Sequence, residues 1–148
     1  MAPTLDELQV MLPSSSIVLG AAAVSREEAV RAAGTLLVAA GAVTAAYVDH
    51  MLERESVVST FVGDGVAMPH ATRSGSDDVI AEGLSLQIFA EPIDWAGQPV
   101  ALVIGIAAHG RRYITLLSQL ASMLLDDGRT DALRSAPDAD AARRLLAS

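Results

Sequence analysis

Val100-Ala101-Leu102-Val103-Ile104-Gly105-Ile106-Ala107-Ala108 is an almost unbroken apolar run with branched residues at Val100, Val103, Ile104 and Ile106. A strand with one face in water alternates apolar and polar residues, whereas a strand covered on both faces has no need to. The run therefore predicts the centre of a sheet with layers on both sides. Upstream, Gly83 to Ala90 carries Leu84, Leu86 and Ile88 in alternation and predicts a half-buried strand. Ala90 to Pro99, with Pro92, Trp95 and Gly97, is expected to be a loop.

Helix signals surround these strands. Thr4 and Glu7 have capping-box spacing before Leu8, Met11 and Leu12, and Pro13 stops that helix; a brief strand at Ile17 to Leu19 follows. Ser25 and Glu28 repeat the capping signal, and Ala29, Ala32, Ala33, Leu36 and Leu37 carry a helical stripe to Gly41. The next helix is predicted from Thr44 to about Glu55, burying Tyr47, Val48, Met51 and Leu52. After the central strand a helix is predicted from Arg111 to Leu125, burying Ile114, Leu117, Leu120, Ala121 and Leu124. Shorter helices are predicted near Thr130 to Arg134 and Ala139 to Leu146, with Ser74 to Asp78 a polar surface loop. Helices that follow interior strands imply an α/β fold in one domain spanning residues 1–148.

Composition limits the function. A chain of 148 residues is long enough to bury a core without disulfides or a metal, and it has no cysteine, which removes thiol catalysis and cysteine zinc sites. No basic, apolar leader is evident and no apolar stretch approaches a membrane span, so a cytoplasmic location without direct membrane insertion is expected. Eighteen acidic against ten basic residues give a formal charge of -8, which disfavours nucleic acid as a partner.

Chemistry concentrates around Gly63-Asp64-Gly65-Val66-Ala67-Met68-Pro69-His70. Gly63 and Gly65 can take positive φ, and Pro69 fixes its own φ while biasing Met68 away from the helical region. A histidine held by such a loop suits proton or phosphoryl transfer, because its neutral ring is nucleophilic near neutral pH. The same segment also fits a half-buried histidine in an ordinary turn. His109, Arg111, Arg112 and Tyr113 mark a second place, a helix start whose unpaired N–H groups and arginines suit an anion. Solvated arginines and a core aromatic account for those residues equally. His50 lies four residues before Arg54 and so on a similar helix face.

Several stretches together carry a family resemblance. They are Ile17-Val18-Leu19-Gly20, Ser25-Arg26-Glu27-Glu28-Ala29-Val30, Gly41-Ala42-Val43, Tyr47-Val48, Met51-Leu52-Glu53-Arg54-Glu55, Ser59 through His70, and Val103-Ile104-Gly105-Ile106-Ala107-Ala108. In this order they resemble the EIIA domain of the mannitol/fructose type in the bacterial phosphoenolpyruvate-dependent sugar phosphotransferase system, with the Met51 to Glu55 segment leaning toward the mannitol branch. The resemblance implies a mixed β-sheet flanked by helices on both sides, and a cytoplasmic phosphocarrier without cofactor or metal. His70 matches the family histidine that takes a phosphoryl group from the carrier HPr and passes it to the cysteine of an EIIB partner. Arg54 matches the arginine that contacts the phosphoryl oxygens. Tyr113 departs from the family: it stands where a second histidine usually faces the first, with His109 four residues earlier, and Arg111, Arg112, His109 and His50 are supporting candidates.

Other classes fit less well. A hydrolase would draw on His70, Asp64 and Glu55, whose spacing defines no constellation, and a metal module on His50, His70 and His109, which lack a compact ligand motif. Within the family's roles, the alternative is a regulatory EIIA-like protein whose phosphorylation state at His70 controls binding to other proteins. A less acidic face around Arg54, Arg111 and Arg112 is expected, rimmed by Val66, Met68 and Phe61.

Overall fold

The computed structural model describes residues 4–71, 77–109, 112–125 and 128–146. Among them, helix α1 (Leu5–Met11) opens with the expected capping box: the Thr4 side chain accepts from Glu7 N, and the Glu7 carboxylate accepts from Thr4 N. A 3-10 turn (Ser14–Ser16) leads into strand β1 (Ile17–Ala21). Ser25 caps helix α2 (Arg26–Ala39) by accepting from Glu28 N. Helix α3 (Ala46–Val57) begins two residues after Thr44, whose hydroxyl is turned to the Asp78 carboxylate rather than to a helix amide.

Five strands among the described residues form one sheet in the order β1-β4-β5-β3-β2. Strand β5 (Gln98–Ala107) is its centre, buried from Val100 onward, as its apolar run requires. It pairs antiparallel with β4 (Gly83–Trp95) and parallel with β3 (Val66–Ala67), while β1 runs parallel to β4 and β2 (Phe61–Gly63) antiparallel to β3. The sheet is therefore mixed.

Three expectations are corrected here. Ala90 to Pro99 is no loop: β4 continues to Trp95 and turns at Ala96-Gly97, both at positive φ, into β5, with Trp95 paired to Gln98. Nor is β4 half-buried, since Ser85 and Gln87 on its second face are buried and donate to the Ala33 and Ala29 carbonyls of α2. Two polar side chains thus sit against a helix because each finds a backbone acceptor. The 63–70 segment, expected as a loop, contains β3 and closes a hairpin with β2 through Asp64-Gly65, both at positive φ.

Each sheet face carries its own core. Leu84, Leu86, Ile88, Leu102, Ile104 and Ile106 pack against α1, helix α4 (Arg112–Leu124), helix α5 (Arg129–Arg134) and helix α6 (Ala139–Leu146). On the other face Phe89, Val100, Val103 and Ala107 pack against α2 and α3. In α4 the buried row is Leu116, Leu120 and Leu124, and Ile114, expected inside, is 48% exposed. No helix among the described residues is long and apolar enough to cross a membrane.

Candidate functional site

The backbone that delivers His70 is pinned to the central strand. Gly65 accepts from both Ala101 N and Leu102 N, Pro69 accepts from Ile106 N at 3.0 Å, and His70 itself bridges Ile106 in parallel register. On the far side of that register the Tyr47 hydroxyl donates to the Ile106 carbonyl at 2.7 Å and accepts from Ala71 N at 3.3 Å. Buried between them, Tyr47 has its pKa pushed up to about 12, so it stays a neutral bridge.

The His70 ring is 5% exposed, and its Nδ1 lies 2.9 Å from the Met68 carbonyl. A carbonyl can only accept, so Nδ1 carries the proton and the lone pair resides on Nε2. Nothing among the described residues hydrogen-bonds to Nε2. Burial pushes the ring pKa down, with the nearby Arg54 charge acting in the same direction; the Met68 hydrogen bond and Glu55 oppose them without reversing the sign. The ring is accordingly neutral and nucleophilic at pH 7.

Arg54, Ser59, Thr60, Phe61, Met68 and His70 line one pocket of 310 Å³, closed on the other side by Leu117, Ser118 and Ala121 of α4. Arg54 occupies the last turn of α3, where its Nη1 donates to the Val58 carbonyl and fixes the side chain. Tyr113 stacks on His70, with ring centroids 5.3 Å apart and planes 27° apart. It stands one helical turn before Leu117 and so shares that face of α4.

Thus the three principal sequence candidates, His70, Arg54 and Tyr113, converge. The supporting ones do not. His50 Nε2 is paired with the Asp78 carboxylate at 3.1 Å, Arg112 Nε holds Glu82 at 2.8 Å, and His109 is exposed. None of these lines the pocket. Arg111 lies outside the described residues. Val66 and Met68, expected at an exposed rim, are fully buried, because β3 and the residue after it pack into the core shared with Leu116, Leu120 and Leu124 of α4; Phe61 is half-buried and does reach the pocket. Among the described residues no three His, Asp or Glu side chains converge as a metal site would require. Thr60 and Ser118 were not singled out, since short hydroxyl side chains in loops and on helix surfaces carry no distinguishing sequence signal.

The fold and this constellation define an α/β domain with a pocket lined by a neutral histidine and a guanidinium. Residues 10–148 match the family described as phosphoenolpyruvate-dependent sugar phosphotransferase system, EIIA 2, and the chain belongs to that family. It is 43% identical over 127 residues to the mannitol-specific phosphotransferase enzyme IIA component of Halalkalibacterium halodurans, covering 86% of this chain and 88% of the relative. A similar solved structure is the complex of the mannitol enzyme IIA with phosphorylated enzyme IIB from Escherichia coli, at TM-score 0.85 and 33% identity over 91% of this chain and 96% of that one. Nitrogen regulatory protein IIA-Ntr from Neisseria meningitidis also matches, at TM-score 0.82 and 26% identity over 95% of this chain and 99% of that one.

Proposed function

We propose that this chain, as one EIIA domain over residues 1–148, is a cytoplasmic phosphocarrier that takes a phosphoryl group from phospho-HPr on His70 Nε2 and passes it to the cysteine of an EIIB partner. The observation that carries the reading is the His70 ring itself, with Nδ1–H committed to the Met68 carbonyl, the lone pair left on Nε2, and the residue lining a pocket that Arg54 shares. Nε2 attacks phosphorus, an N–P bond forms, and the bond to the donor atom of HPr breaks, its electron pair leaving with that atom. In the second transfer the thiolate sulfur of EIIB attacks, the S–P bond forms, and the N–P electron pair returns to Nε2. The Nδ1 proton stays in place throughout, so each transfer exchanges one P–X bond for another without a proton shuttle. Arg54 meets the charge of the phosphoryl oxygens, and Tyr113 supports the ring without accepting the group, since a phenol would first have to lose a proton of pKa about 10.

The mannitol branch is favoured by the 43% identity to a mannitol-specific component. The sugar itself stays outside this domain. A regulatory role is the second reading, supported by the likeness to a nitrogen regulatory IIA protein. Incubation with labelled phospho-HPr tests the first transfer: label is expected on wild-type protein and none on His70→Ala. Onward transfer to a mannitol-type EIIB is expected next. Full labelling of His70→Ala, or a phosphopeptide map that places the group on Tyr113 or His109, would overturn the mechanism; transfer to no EIIB, with binding to a regulator in one phosphorylation state only, would favour the regulatory reading.

A further inference from the structure

Glu55 is a carboxylate 4% exposed, and the transfer chemistry above does not use it. Burying a carboxylate is costly unless hydrogen bonds replace its water, and for filling space alone an apolar side chain of similar size serves better. Here the replacement is complete. Oε2 accepts from Thr60 N at 2.9 Å and from Trp95 Nε1 at 3.0 Å, Oε1 accepts from the Thr60 hydroxyl, and Arg26 Nη1 stands 4.0 Å from Oε2. One side chain at the end of α3 thereby accepts from both the backbone N–H and the hydroxyl of Thr60.

Thr60 is also the next link toward the active histidine. Its carbonyl accepts from Met68 N at 3.0 Å, and the Met68 carbonyl is the group that receives His70 Nδ1–H at 2.9 Å. Glu55, Thr60, Met68 and His70 therefore form one continuous hydrogen-bonded series running from the helix end, across the first residue before β2, to the reactive ring. Every donor in the series points toward Glu55. Its neighbour Arg54 leaves the same helical turn in a different direction, into the pocket, so one turn of α3 supplies both the guanidinium for the phosphoryl group and the anchor for the loop.

We infer that Glu55 is a positioning residue, which through Thr60 and Met68 fixes the His70 ring in its Nδ1–H tautomer with Nε2 aimed at the pocket. The inference rests on the phosphocarrier reading above. Its role is one of reach and hydrogen bonding rather than of charge, since Arg26 stands against the carboxylate. A reacting atom displaced by about 1 Å can cost on the order of 100-fold in rate, so a slack anchor three links away is enough to be measured.

Two substitutions separate reach from charge. Glu55→Gln keeps the length: its carbonyl oxygen can take both N–H donors at the Oε2 position while its NH2 faces the Thr60 hydroxyl oxygen. Glu55→Asp keeps the charge and withdraws it by one methylene. With phospho-HPr as donor, Glu55→Gln is expected to retain near wild-type transfer, whereas Glu55→Asp loses about 10 to 100-fold in kcat with KM changed less than about threefold. Ring ¹⁵N spectra of the unphosphorylated protein should show the single Nδ1–H tautomer of His70 in wild type and Glu55→Gln, and a mixture in Glu55→Asp. If Glu55→Asp does not fold, Thr60→Val, which removes only the hydroxyl link, should show a smaller loss of the same kind. An active Asp variant beside an inactive Gln variant would replace positioning by charge. Wild-type behaviour in both, or slowed transfer with an unaltered ring spectrum, would overturn the inference. Wild-type protein that takes no label from phospho-HPr would instead sink the phosphocarrier reading, and the ring spectra would still decide the role of Glu55.

Discussion

The Tyr113 ring lies against the His70 ring at a centroid distance of 5.3 Å and an interplanar angle of 27°. Stacking of this kind restricts rotation of the histidine plane, and aromatic pairs contribute about 0.5–1.5 kcal/mol beyond their buried area. The contact belongs to the rings, so Tyr113→Phe should still accept label from phospho-HPr, with an altered rate from loss of the hydroxyl. Tyr113→Ala should slow transfer by roughly the 2 to 10-fold that such a stack is worth. Tyr113→His keeps an aromatic ring beside His70 and adds a second imidazole, so it is expected to change the transfer rate without abolishing labelling. Stopped-flow or quench-flow transfer with the three variants checks this; complete loss of labelling in Tyr113→Phe would make the hydroxyl essential and contradict it.

Arg54 has one N–H tied to the Val58 carbonyl while its guanidinium shares the pocket with His70. A charge-assisted hydrogen bond contributes about 1.5–3 kcal/mol, so if that interaction is made mainly in the transition state, Arg54→Ala should slow transfer by about 10 to 100-fold. Arg54→Lys should recover only part of the loss, since a single ammonium on a flexible stem cannot hold Val58 and a phosphoryl oxygen in one rigid fork. Circular dichroism of both variants should match wild type. Unchanged kinetics in both transfer directions would remove Arg54 from the site.

How much of this was legible in the sequence depends on the range over which each signal acts. The central position of β5 and the limits of α6 were readable, because continuous apolarity and helix periodicity are local. The β4-β5 hairpin was not: two-residue turns with positive φ favour Asn-Gly or Asp-Gly, and Ala96-Gly97 gives no such mark, while Pro92 and Pro99 argue against strand. In α4 the exposure of Ile114 was readable in the helix period, since Ser118 and Ser122 follow it at four-residue spacing and Leu116, Leu120 and Leu124 form the opposite, buried row; the expectation erred by grouping Ile114 with Leu117 and Ala121 instead. Arg54 was legible through family resemblance alone and Tyr113 also through the helix-start signal it shares with Arg111 and Arg112; the stack itself joins two segments 43 residues apart in numbering, from 70 to 113, a span that no local signal covers. The hub at Glu55 depends on Trp95, 40 residues away, and no local pattern announces such a contact.

Gly34 makes a prediction about stability. It lies in α2 where α3 crosses closely, and a Cβ there would stand 2.9 Å from Val48 Cγ2 and 3.0 Å from Met51 Sδ. Alanine is favoured over glycine inside a helix by about 1 kcal/mol. Overpacking a tight contact costs about 1–3 kcal/mol, and here both neighbours are buried. Crowding should win, so Gly34→Ala is expected to lower the urea midpoint despite its better helix propensity. A raised midpoint would mean that the Met51 side chain yields freely.

His70 supplies the pH dependence. Burial first, and the Arg54 charge after it, hold the folded ring below the ordinary histidine value of about 6.5, and the Met68 carbonyl and Glu55 push it partly back. A depressed pKa means that the unfolded chain binds the proton more readily than the folded one. The stability contributed by the neutral ring is therefore fully present above about pH 6.5 and is lost as pH falls through the folded pKa. Relative to His70→Gln, wild-type protein should lose stability across that acid window, and the two curves should run parallel above it. The chemistry follows the same proton: Nε2 stays unprotonated to lower pH than in a solvent-exposed histidine, so acceptance from phospho-HPr should persist below pH 6.5 after correction for the donor. Arg54→Gln, which removes a charge that opposes protonation, should move the midpoint upward. A ring titration followed by NMR checks all of this, and a wild-type midpoint at or above about 6.5, or a downward movement in Arg54→Gln, would contradict it.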